Sequence, residues 1–263
     1  RMFLIQHETN RGVGAAISTG YQWCRDHEID AAVVMAGDHQ MDPANLPDLL
    51  DPVVTGSADY SKGNRLFTGD AWKKIPHVRY LGNSLLSFLT KIASGYWHVA
   101  DSQTGYTVIS KRALRLIPLE EIYPGYGMPN DLLTTLNIYD MWVVDVPVSP
   151  VYADEKSGIS LRKIVFSLSF LLVKLFLRRM IQKYVIRDFH PLVLFYAVGI
   201  FLLSLDIPLA VRFFHRWRLQ GFVPEITLLT ILFCTFVGVQ LVLFAMLFDM
   251  ESNRHLNGHL DKR

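Results

Sequence analysis

Residues 226–248 run without a single charged side chain, and that stretch constrains the chain more than any other. About 20 consecutive apolar residues suffice to cross the hydrocarbon core of a bilayer as a helix, the one form in which a lone segment satisfies its own backbone there. A second apolar stretch, residues 191–211, precedes it and carries Asp206 and Pro208 near one end. Two such spans joined by a short loop predict a transmembrane hairpin within residues 188–250 that returns the chain to the side it left. Arg212, Arg216 and Arg218 lie in the joining loop. They blunt the charge asymmetry, so the lysine and arginine count favours a cytoplasmic first part only weakly.

The approach to the hairpin is basic. Lys163, Lys174 and Arg178 lie on one side of an apolar pattern over residues 159–187, as in an interfacial amphipathic helix. Lys174, Arg178, Arg179, Lys183 and Arg187 are placed to meet anionic lipid head groups. Residues 251–263 form a polar tail. Net charge is only +2, which gives no basis for a nucleic-acid partner. The two cysteines, Cys24 and Cys234, imply no disulfide framework.

Residues 1–158 read as an α/β domain. Hydrophobic periodicity predicts strands at 2–6, 31–35, 58–62, 105–110 and 142–148, and helices at 14–25, 46–54, 78–94 and 131–139. That alternation argues for a mostly parallel sheet covered by helices. The opening, RMFLIQHETNRGVGAA, reads like the middle of such a domain, so the domain is expected to be N-terminally truncated. GVGAAI is not a dinucleotide fingerprint, because Ile17 stands where the third glycine belongs.

The stretch VVMAGDHQMDP, residues 33–43, runs from an apolar strand into Asp38, Gln40 and Asp42. Ligands of open α/β sheets collect at the carboxyl ends of strands, and carboxylate and amide oxygens are hard ligands suited to Mg²⁺ or Mn²⁺. A polar turn that happens to hold two aspartates is the competing reading.

NRGVGAA, VVMAGDHQMDP, GNRLFTG, DSQTGY, NDLL, VVDVPV and VYADEKSGIS occur here in the order seen in family 2 glycosyltransferases. The chain most resembles the polyprenyl-phosphate sugar transferases of the dolichyl-phosphate mannose synthase kind. The likeness continues into RDFHPLVLFY and GVQLVLFAMLFDME. It implies a GT-A-type (nucleotide-diphospho-sugar transferase) fold, a divalent Mg²⁺ or Mn²⁺, and transfer of a hexose from a nucleotide sugar to an undecaprenyl or dolichyl phosphate. A user of nucleotide sugars faces the cytosol, which places the first domain there.

The resemblance also implies roles. The acidic motif of such enzymes commonly reads Asp-x-Asp-x-Gln, so Asp38 and Gln40 are the metal candidates, Ala36 replaces the first aspartate, and Asp42 lies outside the pattern. Arg65 matches an arginine near the donor phosphates, and Arg79 one that meets the lipid phosphate; the planar guanidinium suits phosphate. Asp101 matches a residue beneath the sugar, with Gln103 beside it, and Asp131 the acid facing the acceptor. Lys156 and Ser157 are placed to meet the lipid phosphate as it leaves the bilayer. The resemblance leaves a homo-oligomer open. The rival reading is a non-catalytic, membrane-anchored protein that keeps the fold and binds a lipid phosphate or a partner; Ala36 favours it.

Overall fold

A computed structural model describes residues 2–66, 77–149 and 161–258. Two compact units divide the chain, Arg1–Arg179 with Asn253–Arg263, and Met180–Ser252.

Among the described residues the first unit is built on four strands, β1 (Ala31–Val34), β2 (Tyr60–Asn64), β3 (Thr107–Ser110) and β4 (Val143–Pro147), in the order β1-β3-β2-β4. The sheet is mixed, which corrects the expectation of a mostly parallel one: β3 runs antiparallel to β1 and β2, and only β2 and β4 pair in parallel. Strand direction follows from the path of the connections, and hydropathy does not encode it. No strand forms at residues 2–6, where Met2, Phe3, Leu4 and Ile5 are exposed.

Successive strand residues point to opposite faces, so one strand feeds two cores. Ile109 and Val143 join the cluster formed with Tyr21, Leu114, Leu132 and Leu136, contributed by helices α1 (Val13–Asp26), α4 (Lys111–Leu116) and α5 (Met128–Ile138). Their neighbours Val108 and Val144 join Leu49 and Val53 of α2 (Leu46–Val54) on the other face. The sheet therefore lies between helical layers, and charged groups at its strand ends are shielded from both sides.

Helix α3 (His77–Ser94) ends at Gly95, whose φ of +80° is left-handed. A Cβ there would lie 2.5 Å from Arg179 Nη1. Arg179, on α6 (Leu161–Ile181), is wholly buried and donates to the Ala93 and Ile92 carbonyls at 2.9 Å each, closing the last turn of α3. Leu171, Leu172 and Leu175 of α6 pack beside Ala93. The basic face expected to meet lipid head groups is thus partly turned inward. Arg178 bonds Asp131 and Thr135, and Arg179 caps a helix. The physical reason is that α3 and α5 offer carbonyl and carboxylate acceptors to these cations. The outward residues of α6 include Phe170, Val173 and Leu177.

The second unit contains the helices α7 (Leu192–Gln220) and α8 (Glu225–Ser252), both longer than the apolar stretches that foretold them. Only 17% of each apolar window is buried, unlike the core helices of a soluble domain, and each helix is long and apolar enough to cross a membrane. Gly221, with φ +71°, ends α7. The helices approach closely where Gly199 and Gly238 meet: a Cβ on either would lie about 3 Å from the other's carbonyl oxygen, at 3.0 and 3.1 Å. Thr235 Oγ1 donates to Asp206 Oδ2 at 2.7 Å, which partners the one carboxylate in the α7 apolar stretch.

Candidate active site

The acidic stretch leaves β1 as an exposed turn. Asp38 Oδ1 accepts the Gln40 amide at 3.1 Å, and His39 between them has a left-handed φ of 62°. Asp42 has a separate task. Its side chain accepts the Ala44 amide at 2.9 Å and caps the short 3₁₀ turn Pro43–Asn45, while its carbonyl accepts the Tyr106 hydroxyl at 3.1 Å. The two aspartates are therefore a turn residue and a helix cap. No group of three or more His, Cys, Asp or Glu suited to a metal occurs among the described residues. One carboxylate and one amide supply hard oxygen donors, which fit Mg²⁺ or Mn²⁺ when a substrate diphosphate and water complete the shell.

Arg65 and Asp101 meet at the end of β2. Asp101 is wholly buried; it accepts Arg65 Nε at 2.8 Å and Nη2 at 3.3 Å, the Arg65 amide at 3.3 Å and the Gln103 amide at 3.1 Å. Burial pushes the Asp101 carboxyl up, but the Arg65 guanidinium and the Lys62 ammonium outweigh it, leaving the group below the usual carboxylate range. Gln103 Nε2 donates to Ser102 Oγ at 2.6 Å and Asn130 Oδ1 at 2.9 Å. Gln103 also lines a cavity of about 310 Å³ whose walls include Val13, Val34, Gly105 and Tyr126. Asn130 Nδ2 is buried without a partner among the described residues.

Asp131 sits in the first turn of α5 with both oxygens engaged. Oδ2 accepts the Tyr123 amide at 2.6 Å and Oδ1 accepts Arg178 Nη2 at 2.7 Å, with only 3% of the side chain exposed. The backbone of Arg79 lies in the first turn of α3, its side chain outside the described part; Lys156 and Ser157 fall outside the described residues.

Two buried charges had no place in the motif reading. Lys62 on β2 is wholly buried and donates to the Thr104 carbonyl at 2.5 Å. Asp145 on β4 accepts the Ala100 amide at 2.6 Å and Asn64 Nδ2 at 3.0 Å. Burial drives the Lys62 ammonium down to about 8 against the pull of Asp101 and Asp145, and pushes the Asp145 carboxyl up to about 6. A lysine and an aspartate inside otherwise buried strands, in YSKGN and VVDVP, are the one sequence signal that could have drawn notice to them.

The first unit thus presents a mixed sheet between helices, with an arginine–carboxylate pair and an amide at its strand ends. Residues 1–117 match the model of Glycosyl transferase family 2. The chain is 29% identical over 154 residues to the UDP-N-acetylglucosamine–dolichyl-phosphate N-acetylglucosaminyltransferase of Methanococcus voltae, covering 59% of this chain and 61% of the relative. It is also 29% identical over 147 residues to the undecaprenyl-phosphate mannosyltransferase of Micrococcus luteus, covering 56% and 59%. The chain thus spans about three-fifths of the length of these curated relatives. Glucosyl-3-phosphoglycerate synthase from Mycobacterium tuberculosis, solved with Mn²⁺, UDP and glucosyl-3-phosphoglycerate, superimposes with a TM-score of 0.43 at 17% identity, over 64% of this chain and 55% of that one. That likeness is too distant to carry a conclusion.

Proposed function

We propose that this protein is an inverting glycosyltransferase that moves a hexose from a nucleotide-diphospho-sugar to a polyprenyl phosphate at the cytoplasmic membrane face. The observation that carries this reading is the family 2 match over residues 1–117 joined to the relatives' names: both relatives are named for a polyprenyl phosphate although their sugars differ. Two helices able to cross a membrane suit an acceptor that lives in one.

In this reading an acceptor phosphate oxygen attacks the anomeric carbon from the face opposite the donor diphosphate. The bond to the diphosphate breaks, a sugar phosphodiester forms, and the configuration inverts. A phosphate monoester has its second pKa near ~6, so the nucleophile is largely dianionic at neutral pH and needs no strong base. Asp38 and Gln40 would hold a Mg²⁺ or Mn²⁺, which would supply positive charge to offset that of the donor diphosphate. Asp101 and Gln103 orient the sugar, with Arg65 fixed by Asp101 to face the donor phosphates. Asp131 holds the acceptor side of α5 in place through Arg178. Arg79, Lys156 and Ser157 remain the candidates for the lipid phosphate. Ala36, in place of the family's first aspartate, favours the rival reading of a non-catalytic lipid-phosphate binder.

The test incubates the purified protein with Mn²⁺, undecaprenyl or dolichyl phosphate, and radiolabelled nucleotide sugars in turn. Label passing into the organic phase is expected for at least one donor. Binding of the lipid phosphate with no transfer from any donor overturns the reading in favour of the rival.

A further inference from the structure

Lys62 and Asp145 stand opposite each other where β2 and β4 pair in parallel. Both reach the loop that carries Asp101. Asp145 Oδ2 takes the Ala100 amide at 2.6 Å, and the Lys62 ammonium donates to the Thr104 carbonyl at 2.5 Å. The segment 100–104 is therefore gripped at both ends by two residues that face one another across the sheet. Asp145 Oδ2 also accepts Asn64 Nδ2 at 3.0 Å, and Asn64 Oδ1 accepts the Leu66 amide at 3.0 Å. Ala100 and Asn64 immediately precede Asp101 and Arg65. One carboxylate thus anchors the backbone on which both halves of the Arg65–Asp101 pair are mounted.

The arrangement is costly for a purely structural device. Lys62 is wholly buried with a single acceptor, and Asp145 Oδ1 is buried without a partner among the described residues. Apolar side chains of similar volume at such positions are commonly neutral or more stable. The charges nevertheless balance, with Lys62 and Arg65 against Asp101 and Asp145. With Lys62 titrating at about 8 and Asp145 at about 6, both are mainly charged near pH 7.

We propose that Lys62 and Asp145 act as positioning residues, a cross-strand clamp that sets the Arg65–Asp101 pair at the donor end of the sheet. This rests on the reading of that pair as substrate-facing groups in sugar transfer. Asp145→Ala removes both hydrogen bonds of the carboxylate, whereas Asp145→Asn keeps an oxygen for the Ala100 and Asn64 donors and removes only the charge.

The experiment measures kcat and donor KM of the purified full chain, together with amide hydrogen exchange in segments 64–66 and 100–104. Misplacement of reacting groups by about 1 Å costs about 100-fold, so Asp145→Ala is expected to lower kcat by about 100-fold with KM within about threefold, and Asp145→Asn to recover to within about 10-fold of wild type. Exchange at Leu66 and Ala100 is expected to quicken by about 10-fold or more in the alanine variant, as local opening becomes easier. Lys62→Met frees only the Thr104 end; it is expected to lower kcat by about 10-fold at unchanged KM and carries the test if Asp145→Ala does not fold. Wild-type turnover per folded molecule in both Asp145→Ala and Lys62→Met overturns the clamp, as does an asparagine variant as slow as the alanine one. If the wild-type chain transfers no sugar, the functional reading fails instead, and the exchange measurement still decides the clamp: unchanged exchange overturns it.

Discussion

Replacing Arg65 by methionine removes a guanidinium while keeping most of its stem. Asp101, wholly buried, then loses the Nε contact at 2.8 Å and the Nη2 contact at 3.3 Å, and keeps only main-chain donors at residues 65 and 103 together with the nearby Lys62 charge. Removing one partner of a buried ion pair costs roughly 3–5 kcal/mol. The Arg65 side chain is 22% exposed, so water softens the loss and the lower figure, about 3 kcal/mol, applies. At about 2–4 °C per kcal/mol for a domain of this size, the unfolding midpoint should fall by about 6–12 °C near pH 7.

The pH dependence has a definite sign. In the wild-type protein the Asp101 carboxyl titrates below its usual range, with Arg65 and Lys62 outweighing burial. Its stabilisation is therefore present above the unfolded-state pKa and is lost as pH falls through the depressed folded value. Without the guanidinium, burial dominates and the neutral acid is favoured. The gap between variant and wild type should then be widest near pH 7 and close as pH falls through the carboxylate range. Thermal unfolding of detergent-purified protein at pH 7 and pH 4 reads both effects. A midpoint shift under about 2 °C at pH 7, or the same shift at both pH values, would refute the assignment of Arg65 as the counter-ion of Asp101.

Asp38→Ala should abolish metal-dependent transfer, whereas Asp42→Ala should merely weaken it and cost about 1 kcal/mol of stability, because Asp42 caps a turn; activity titrated with Mn²⁺ separates the two. Gly14→Ala should destabilise by about 1–3 kcal/mol, since its Cβ would fall 2.3 Å from the Tyr123 carbonyl oxygen and backbone cannot yield as a side chain does. Gly20→Ala on the same helix meets nothing within 4 Å and should stabilise by up to about 1 kcal/mol, so paired denaturation curves check the contrast. A double-mutant cycle on Asp131 and Arg178 should give a coupling of about 0.5–3 kcal/mol; additivity would contradict their pairing.

Periodicity found most elements because each buries one face. The helix expected at 46–54 forms as Leu46–Val54, and the one at 78–94 as His77–Ser94. It missed α4, a helix of six residues too short to show a period. It also predicted a strand at residues 2–6, an apolar run that finds no partner strand among the described residues. The motifs single out Arg65, Asp101 and Gln103, and the structure places Arg65 against Asp101 with the Gln103 amide beside it. The resemblance gives Asp131 as the acid facing the acceptor, and no periodicity shows that Arg178, 47 residues away, bonds it. Lys62 and Asp145 escaped it for a related reason: their meaning depends on strand register, which links residues 83 positions apart and is invisible until β2 and β4 are paired.

The most direct test of the central claim is the structure of the product. Purified protein, a nucleotide sugar, Mn²⁺ and a polyprenyl phosphate should yield a lipid whose ³¹P and ¹H NMR spectra show a sugar phosphodiester with anomeric configuration opposite to the donor. A product with retained configuration contradicts the mechanism, and a lipid phosphate recovered unchanged with every donor contradicts the function.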